Sequence, residues 1–397
     1  ELDRIGSPAT IANAGGRYFG FVIGGSLPAA VAANVLAAGW DQNAGLEVAS
    51  PVGTALEKVC RAWLVDLLGL HADTDVGFVT GATMANFTGL AAARHAVLAA
   101  HGWDVEADGL FGAPPITVIV GDEVHASLLK ALSMIGFGRE RVVRVPVDGE
   151  GRMLAGKLPA IAGPSIVCAQ IGNVNSGSFD PIDEIAARLD GTGAWLHVDG
   201  AFGLWAAASP ALRHLCRGID RADSISTDAH KWLNVPYDSG LVFVRDRKPL
   251  NAAMSANAAY LVAGETRDPY LFTPEMSRRA RAIEVWAALR SLGRSGLADM
   301  IDRHCRQARM FADGLRDAGH DVLNDVVLNQ VMVSFGTPEQ TQRVIAGVQA
   351  EGTCWAGGTT WQGKPAMRIS VSSWATTDAD VAASLDAILR VAASLKR

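Results

Sequence analysis

The sequence predicts an α/β fold: a large domain built on a mostly parallel, seven-stranded sheet, followed by a smaller C-terminal α+β domain. Three observations carry this. Short β-branched runs recur, apolar on both faces: VGFVT (76–80), ITVIV (116–120), RVVRVPV (141–147), SIVCAQIG (165–172), AWLHV (194–198), DSIST (223–227) and GLVFV (240–244). Helical patterning separates them, as in FTGLAAARHAVLAA (87–100). Strands apolar on both sides must be covered on both sides, which is the mark of a parallel sheet with crossover helices. Near Arg278 the alternation stops and two long helical segments begin.

From the N-terminus, the first feature is an uncharged run from Tyr18 to Trp40, long enough to cross a bilayer. Its glycines, Pro28 and Asn34, and an apolar content that is mostly alanine, favour a buried helix instead. Ser26 and Pro28 mark its start, and Gly39 its stop just after Ala38. The seven strands and their helices follow. SRRARAIEVWAALRSLG (277–293) and DMIDRHCRQARMFADGLRDAG (299–319) then predict two long helices. After them come a strand QVMVSF (330–335), a helix from Glu339, strands near 354–361 and 366–372, and a last helix. Thr377 caps that helix, with Asp380 three residues on. The expected division is an N-terminal segment 1–48, a large domain 49–277 and a small domain 278–397.

The 397 residues are 49% hydrophobic and 19% charged, so a large core can form. A net charge of -6 argues against nucleic-acid binding, which needs a basic face. The five cysteines, Cys60, Cys168, Cys216, Cys305 and Cys354, are scattered and include no CxxC pair. Neither a disulfide framework nor a metal site is expected, and a reducing cytoplasm fits best. No basic-then-apolar targeting signal opens the given sequence, and no membrane partner is expected.

In open parallel sheets, ligands gather at the carboxyl ends of strands. Four stretches with chemical potential lie at such ends. VTGATMAN (79–86) joins a strand to a helix through Gly81; its open N–H groups and Thr83 suit an anion, although many strand–helix turns look alike. In GDEVHASLLKA (121–131), His125 is either a satisfied helix-start histidine or a flat imidazole that stacks on a ring and handles protons. In WLHVDGAFG (195–203), Asp199 ends an apolar strand. A carboxylate so placed either pairs with a cation or good donors, or caps the next helix. In TDAHKWLNVPYDSG (227–240), Lys231 follows a strand with little charge. It is either a desolvated nucleophile or an amine reaching solvent from a loop.

An anion cradle, a stacking imidazole, a buried carboxylate and an amine together are the parts that pyridoxal phosphate requires. The chain resembles the group II pyridoxal-phosphate-dependent amino-acid decarboxylases, a family that includes aromatic-L-amino-acid and glutamate decarboxylases. The resemblance runs from about Tyr18 to the C-terminus. Its strongest words are HVDGAFG, DAHKWLNVPYD, GATMAN and GSFDPI, joined by SPVGTALE (50–57), the RDP…PEMSRRAR run (267–281) and MRISVSSWATT (367–377). It implies that Lys231 forms the Schiff base with the cofactor and that His125 stacks on the ring. It pairs Asp199 with the ring nitrogen and packs Ala201 on the other face, while Ala82, Thr83 and His230 hold the phosphate.

Two departures are visible. Where relatives carry two threonines after the glycine, this chain has Gly172, Asn173, Val174 and Asn175, and Asn173 is the candidate for the cofactor hydroxyl. The loop that carries the family's catalytic tyrosine, here about 262–275, is shorter, and Tyr270 is its candidate. The resemblance further implies fold type I, the aspartate-aminotransferase architecture, and a homodimer with shared active sites.

The activity implied is decarboxylation of an L-amino acid, an aromatic one favoured, to the amine and CO2. The alternatives are an acidic amino acid decarboxylase, another reaction of the same cofactor (aldehyde synthase, lyase or aminotransferase), and a non-catalytic binding protein. Phe19 and Phe21 are candidates for an aromatic pocket. Glu47, in the polar stretch DQNAGLE (41–47), would meet either a substrate cation or an arginine. Equally, these residues shape a dimer interface.

Overall fold

The computed structural model describes residues 1–256 and 267–395. In chain order the helices are α1 (Leu2–Gly6), α2 (Pro28–Trp40), α3 (Pro51–Leu68), α4 (Ala82–Ala99), α5 (Val105–Asp108), α6 (Ala126–Met134), α7 (Ile182–Leu189) and α8 (Arg247–Met254), then α9 (Ala282–Asp317), α10 (Pro338–Glu351) and α11 (Asp378–Ser394). The first seven strands are β1 (Asp75–Val79), β2 (Thr117–Gly121), β3 (Val143–Val145), β4 (Ser165–Gln170), β5 (Trp195–Asp199), β6 (Ser224–Asp228) and β7 (Gly240–Val244). A second set comprises β8 (Asp321–Val322), β9 (Gln330–Ser334), β10 (Gly357–Trp361) and β11 (Lys364–Ser370).

Two compact units divide the chain: residues 27–302, and residues 1–26 with 303–397. The sequence reading set its boundaries at 48/49 and 277/278 instead. Residues near the N-terminus join the second unit because Tyr18 bridges to Trp355 and the Phe19 N–H donates to the Trp355 carbonyl at 2.8 Å.

In the larger unit, the seven strands run in the order β1-β7-β6-β5-β4-β2-β3. Six are parallel; β7 alone is antiparallel to both neighbours, β1 and β6. Apart from the edge strand β3, where Val143 and Arg144 are exposed, the strands are almost wholly buried, as their two-faced apolar pattern requires. One face packs Val79, Val120, Ile166 and Val242 against Leu90 and Val97 of α4, Leu128 and Leu132 of α6, and Leu250 of α8. Every carboxyl end of the parallel strands therefore lies at one edge of the sheet, where β7 begins.

In the other unit, β10-β11-β9-β8 form an antiparallel sheet. α10 and α11 both begin with a capping box, Thr337 with Gln340 and Thr377 with Asp380. Phe19, Phe311, Val331, Val348, Ile369 and Ile388 fill its core.

Three local expectations are corrected. Leu27, not Ser26, precedes α2; Gly39 lies inside the helix, which closes at Asp41 in a left-handed conformation (φ 46°). Nor is α2 buried in the single chain: Val35 is 67% and Leu36 52% exposed. Residues 277–281 are not helical. Arg278 and Arg281 are buried there, and Arg278 donates to the Phe78 carbonyl at 2.9 Å and to the Glu57 carboxylate. From Ala282 the two expected helices follow; they meet without a loop at Gly293, whose backbone is not helical (φ 62°).

Candidate active site

Strand β6 ends at Asp228, and the chain then turns through His230 and Lys231. Asp228 is buried and ties three elements together. Its Oδ2 lies 3.0 Å from Lys231 Nζ. Its Oδ1 accepts the Ala82 N–H at 2.5 Å, and its own N–H donates to the Ala201 carbonyl at 2.8 Å. His230 Nε2 stands 3.4 Å from the same Oδ1, while its Nδ1 accepts the Ser239 N–H at 3.2 Å. Burial lowers the His230 pKa, so a neutral imidazole faces the site at neutral pH. The Tyr237 ring lies against it at 4.3 Å, and Trp232 is fully buried beside Phe202.

The first turn of α4 has no side-chain cap from its own flank, because the preceding residue is Gly81. A Cβ on Gly81 would come within 3.0 Å of the His230 ring, and one on Gly240 within 2.4 Å of the Gly81 Cα. Gly240 pairs with both Val79 and Asp228. These two glycines let the β1–α4 turn, β7 and His230 close around one spot. Asp228 takes the Ala82 N–H, and the N–H groups that follow it at this helix start make an anion cradle.

Asp199 ends β5, one strand over, and is 5% exposed. Its Oδ1 accepts the Ala201 N–H at 3.1 Å, and its Oδ2 accepts the Asn86 Nδ2 at 3.0 Å. It caps its own turn and is also held from α4. Asn86, one turn beyond Ala82, was missed at the sequence level, as were Asp228 and His197. His197 is fully buried near Asp199, and burial pushes its pKa down to about 4.

That depression has a measurable consequence. An unfolded His197 titrates near 6.5 and the folded one near 4, so as pH falls the unfolded chain takes up the proton first. Its contribution is fully present above pH 6.5 and should be lost at about 1.4 kcal/mol per pH unit down to about pH 4. Denaturant unfolding of His197→Gln across that window should show a slope shallower by this amount. Parallel slopes in the two proteins would exclude it.

His125 follows β2 and caps α6: its Nδ1 accepts the Ser127 N–H at 3.2 Å. A neutral His125 thus carries its proton on Nε2. Val124 and Leu128, on either side of it, line a small cavity with Asp199. Asn173 follows β4 and is buried; its Oδ1 accepts the N–H groups of Asn175 and Ser176, leaving Nδ2 as its donor. Lys231, His230, Ala82, Ala201 and Asp199 are therefore joined by contacts, while Thr83, His125 and Asn173 stand at neighbouring strand ends.

Tyr270 sits apart from these contacts. It is buried in a short 3-10 turn, Pro269–Phe272, and its N–H donates to the Gly45 carbonyl. Of the expected loop about 262–275, residues 262–266 lie outside the described residues. Phe19 does not line a pocket: it is 1% exposed and packs edge-on against Phe311. Phe21 is 62% exposed and stacks on Trp355. Glu47 pairs with a lysine, not an arginine, at 3.1 Å from Lys58 Nζ.

An amine after β6, a helix start after β1 that suits an anion, and a carboxylate at the end of β5, all at one edge of an α/β sheet, fit pyridoxal phosphate and define a pyridoxal-binding class of protein. The chain belongs to the pyridoxal-dependent decarboxylase family, whose conserved domain matches residues 17–336. It is 30% identical to tryptophan decarboxylase 1 of Oryza sativa subsp. japonica over 345 residues, 80% of this chain and 66% of that protein. It is 31% identical to an acidic amino acid decarboxylase of Mus musculus over 284 residues, 67% of this chain and 50% of that protein. The chain thus spans half to two thirds of the length of these relatives. Among solved structures, that of Oryza sativa TDC with PLP and tryptamine superposes with a TM-score of 0.93 at 23% identity, covering 100% of this chain and 87% of that one. Mouse CSAD superposes with a TM-score of 0.88 at 23% identity, covering 96% and 85%. The fold is that of the type I pyridoxal enzymes.

Proposed function

We propose that the chain is a carboxy-lyase that uses pyridoxal phosphate to convert an L-amino acid, an aromatic one favoured, into its amine and CO2. One observation carries the reading: the Asp228 carboxylate touches both the Lys231 amine and the first N–H of α4, one strand from Asp199. Pyridoxal phosphate bound there would supply an aldehyde for amine capture and a protonated ring that takes up the electron pair left by departing CO2.

The chain's own residues then divide the work. Lys231 would anchor the aldehyde, and Ala82, Thr83 and His230 would hold the phosphate. Asp199 would hold the ring nitrogen and Asn173 the ring hydroxyl. His125 and Ala201 would pack against the ring. As the Cα–carboxylate bond breaks, one proton must reach Cα; His125 Nε2 and the Tyr270 hydroxyl are the proposed donors.

The proposed assembly is a homodimer with shared active sites, supported by the exposed apolar face of α2, with Val31, Val35 and Leu36 uncovered. No described helix is long and apolar enough to cross a membrane. A cytoplasmic location is proposed, in keeping with five buried cysteine thiols.

A second reading, an acidic substrate, is favoured by the comparable identity to the mouse acidic amino acid decarboxylase. Incubation with each of the twenty amino acids tests both. The expected result is CO2 with an equal amount of amine from an aromatic substrate, without O2 uptake. CO2 from aspartate or glutamate alone would select the second reading. An aldehyde with O2 consumed would make the chain an aldehyde synthase.

A further inference from the structure

We propose that Asn86 and His197 are positioning residues. They end a one-way hydrogen-bond relay, Trp195 to Ser224 to His197 to Asn86, that sets how Asp199 meets the cofactor's ring nitrogen. This rests on the cofactor reading above.

The direction of the relay is fixed at its two ends. An indole nitrogen only donates, so Trp195 Nε1 gives its proton to Ser224 Oγ at 2.8 Å. A carboxylate only accepts, so Asn86 turns its Nδ2 to Asp199 and its Oδ1 to His197, whose Nε2 donates at 2.9 Å. The Nδ1 of neutral His197 is then an acceptor, and Ser224 Oγ, 2.8 Å away, gives its hydroxyl proton there. Ser226 Oγ donates to the same oxygen at 2.5 Å. Two donors on Oδ1 set the orientation of the amide, since a flipped Asn86 would turn its NH2 toward both. Its Nδ2 is thus aimed at Asp199 Oδ2, 3.0 Å away.

Water does not dilute this network. Asn86, His197 and Ser226 are 0% exposed and Ser224 1%. Helix α4 reaches β5 closely because Gly89 lies over the imidazole; a Cβ there would stand 3.0 Å from the His197 ring. An apolar core at this crossing would cost less to bury than four polar side chains. What the polar set adds is donors alone at Asp199: Asn86 on Oδ2 and the Ala201 N–H on Oδ1. A carboxylate that loses such a donor becomes the stronger base. It then takes more of the proton it shares with the ring nitrogen.

The test loads wild type and variants with pyridoxal phosphate labelled with 15N in the ring. The nitrogen chemical shift reads ring protonation, and borohydride trapping reads attachment to Lys231. Wild type should show the adduct and a protonated ring. Asn86→Leu should keep the adduct, shift the nitrogen signal toward the unprotonated position, and lose about tenfold in kcat with KM little changed. His197→Gln, whose amide can still donate to Asn86 Oδ1, should stay near wild type, whereas His197→Met should shift the signal. Should Asn86→Leu not fold, the two His197 variants carry the test. A wild-type signal in Asn86→Leu or in His197→Met, or a shift as large in His197→Gln, overturns the relay alone. No adduct in wild type overturns the cofactor reading along with it.

Discussion

Lys231→Ala is expected to leave no borohydride-stable cofactor adduct and to lower CO2 release at least about 10³-fold, or ~4 kcal/mol in activation free energy. Lys231 Nζ is the amine held 3.0 Å from Asp228, beside the open start of α4. The substitution also removes the cation facing a carboxylate that is 2% exposed. Leaving that charge without its partner should lower stability, by up to about 3 kcal/mol. Thermal melts therefore accompany the trapping experiment. Mass spectrometry of the reduced, digested protein locates the adduct; one persisting on another lysine would reassign the anchor.

Asp199→Asn is the second large effect. The amide keeps the shape of the carboxylate but has a single acceptor oxygen, so it keeps only one of the two donors, the Ala201 N–H or the Asn86 Nδ2, and it cannot offset a positive charge on the ring nitrogen. A charge-assisted hydrogen bond lost only in the transition state is worth about 3 kcal/mol, or roughly 10² in rate. Turnover should fall at least that much while the cofactor remains bound on Lys231. Steady-state rates and cofactor content measured on the same preparation separate the two effects. Unaltered turnover would remove Asp199 from the role.

Both predictions rest on residues that could be read before any coordinates. Lys231 and Asp199 announce themselves because a charged group at the end of an apolar run is unusual wherever it occurs. All the strands of the main sheet except the exposed edge strand β3 were legible for a related reason: burial on both faces demands an unbroken apolar stretch. Thr377 with Asp380 was legible because a capping box is a four-residue pattern. The expectations that failed were of another kind. Gly39 was read as a helix stop, yet α2 continues to Trp40, since an isolated glycine only weakens a helix. Residues 277–281 have helical periodicity, but Glu57, more than two hundred positions away, claims the Arg278 side chain. Phe19 looked like pocket lining, and instead the Phe311 ring takes it into a core.

By itself, then, the sequence determined the order of the elements, the parallel character of the main sheet, and the amine and carboxylate at its edge. These are consequences of local periodicity and of the cost of burying charge. Only the tertiary structure decided that Asp228 would bridge Lys231 to the start of α4, and that Asn86 would face both His197 and Asp199. Such contacts join residues more than a hundred positions apart on three separate elements. No local pattern encodes them, because they exist only where α4, β5 and β6 cross, at a distance that Gly81 and Gly89 permit.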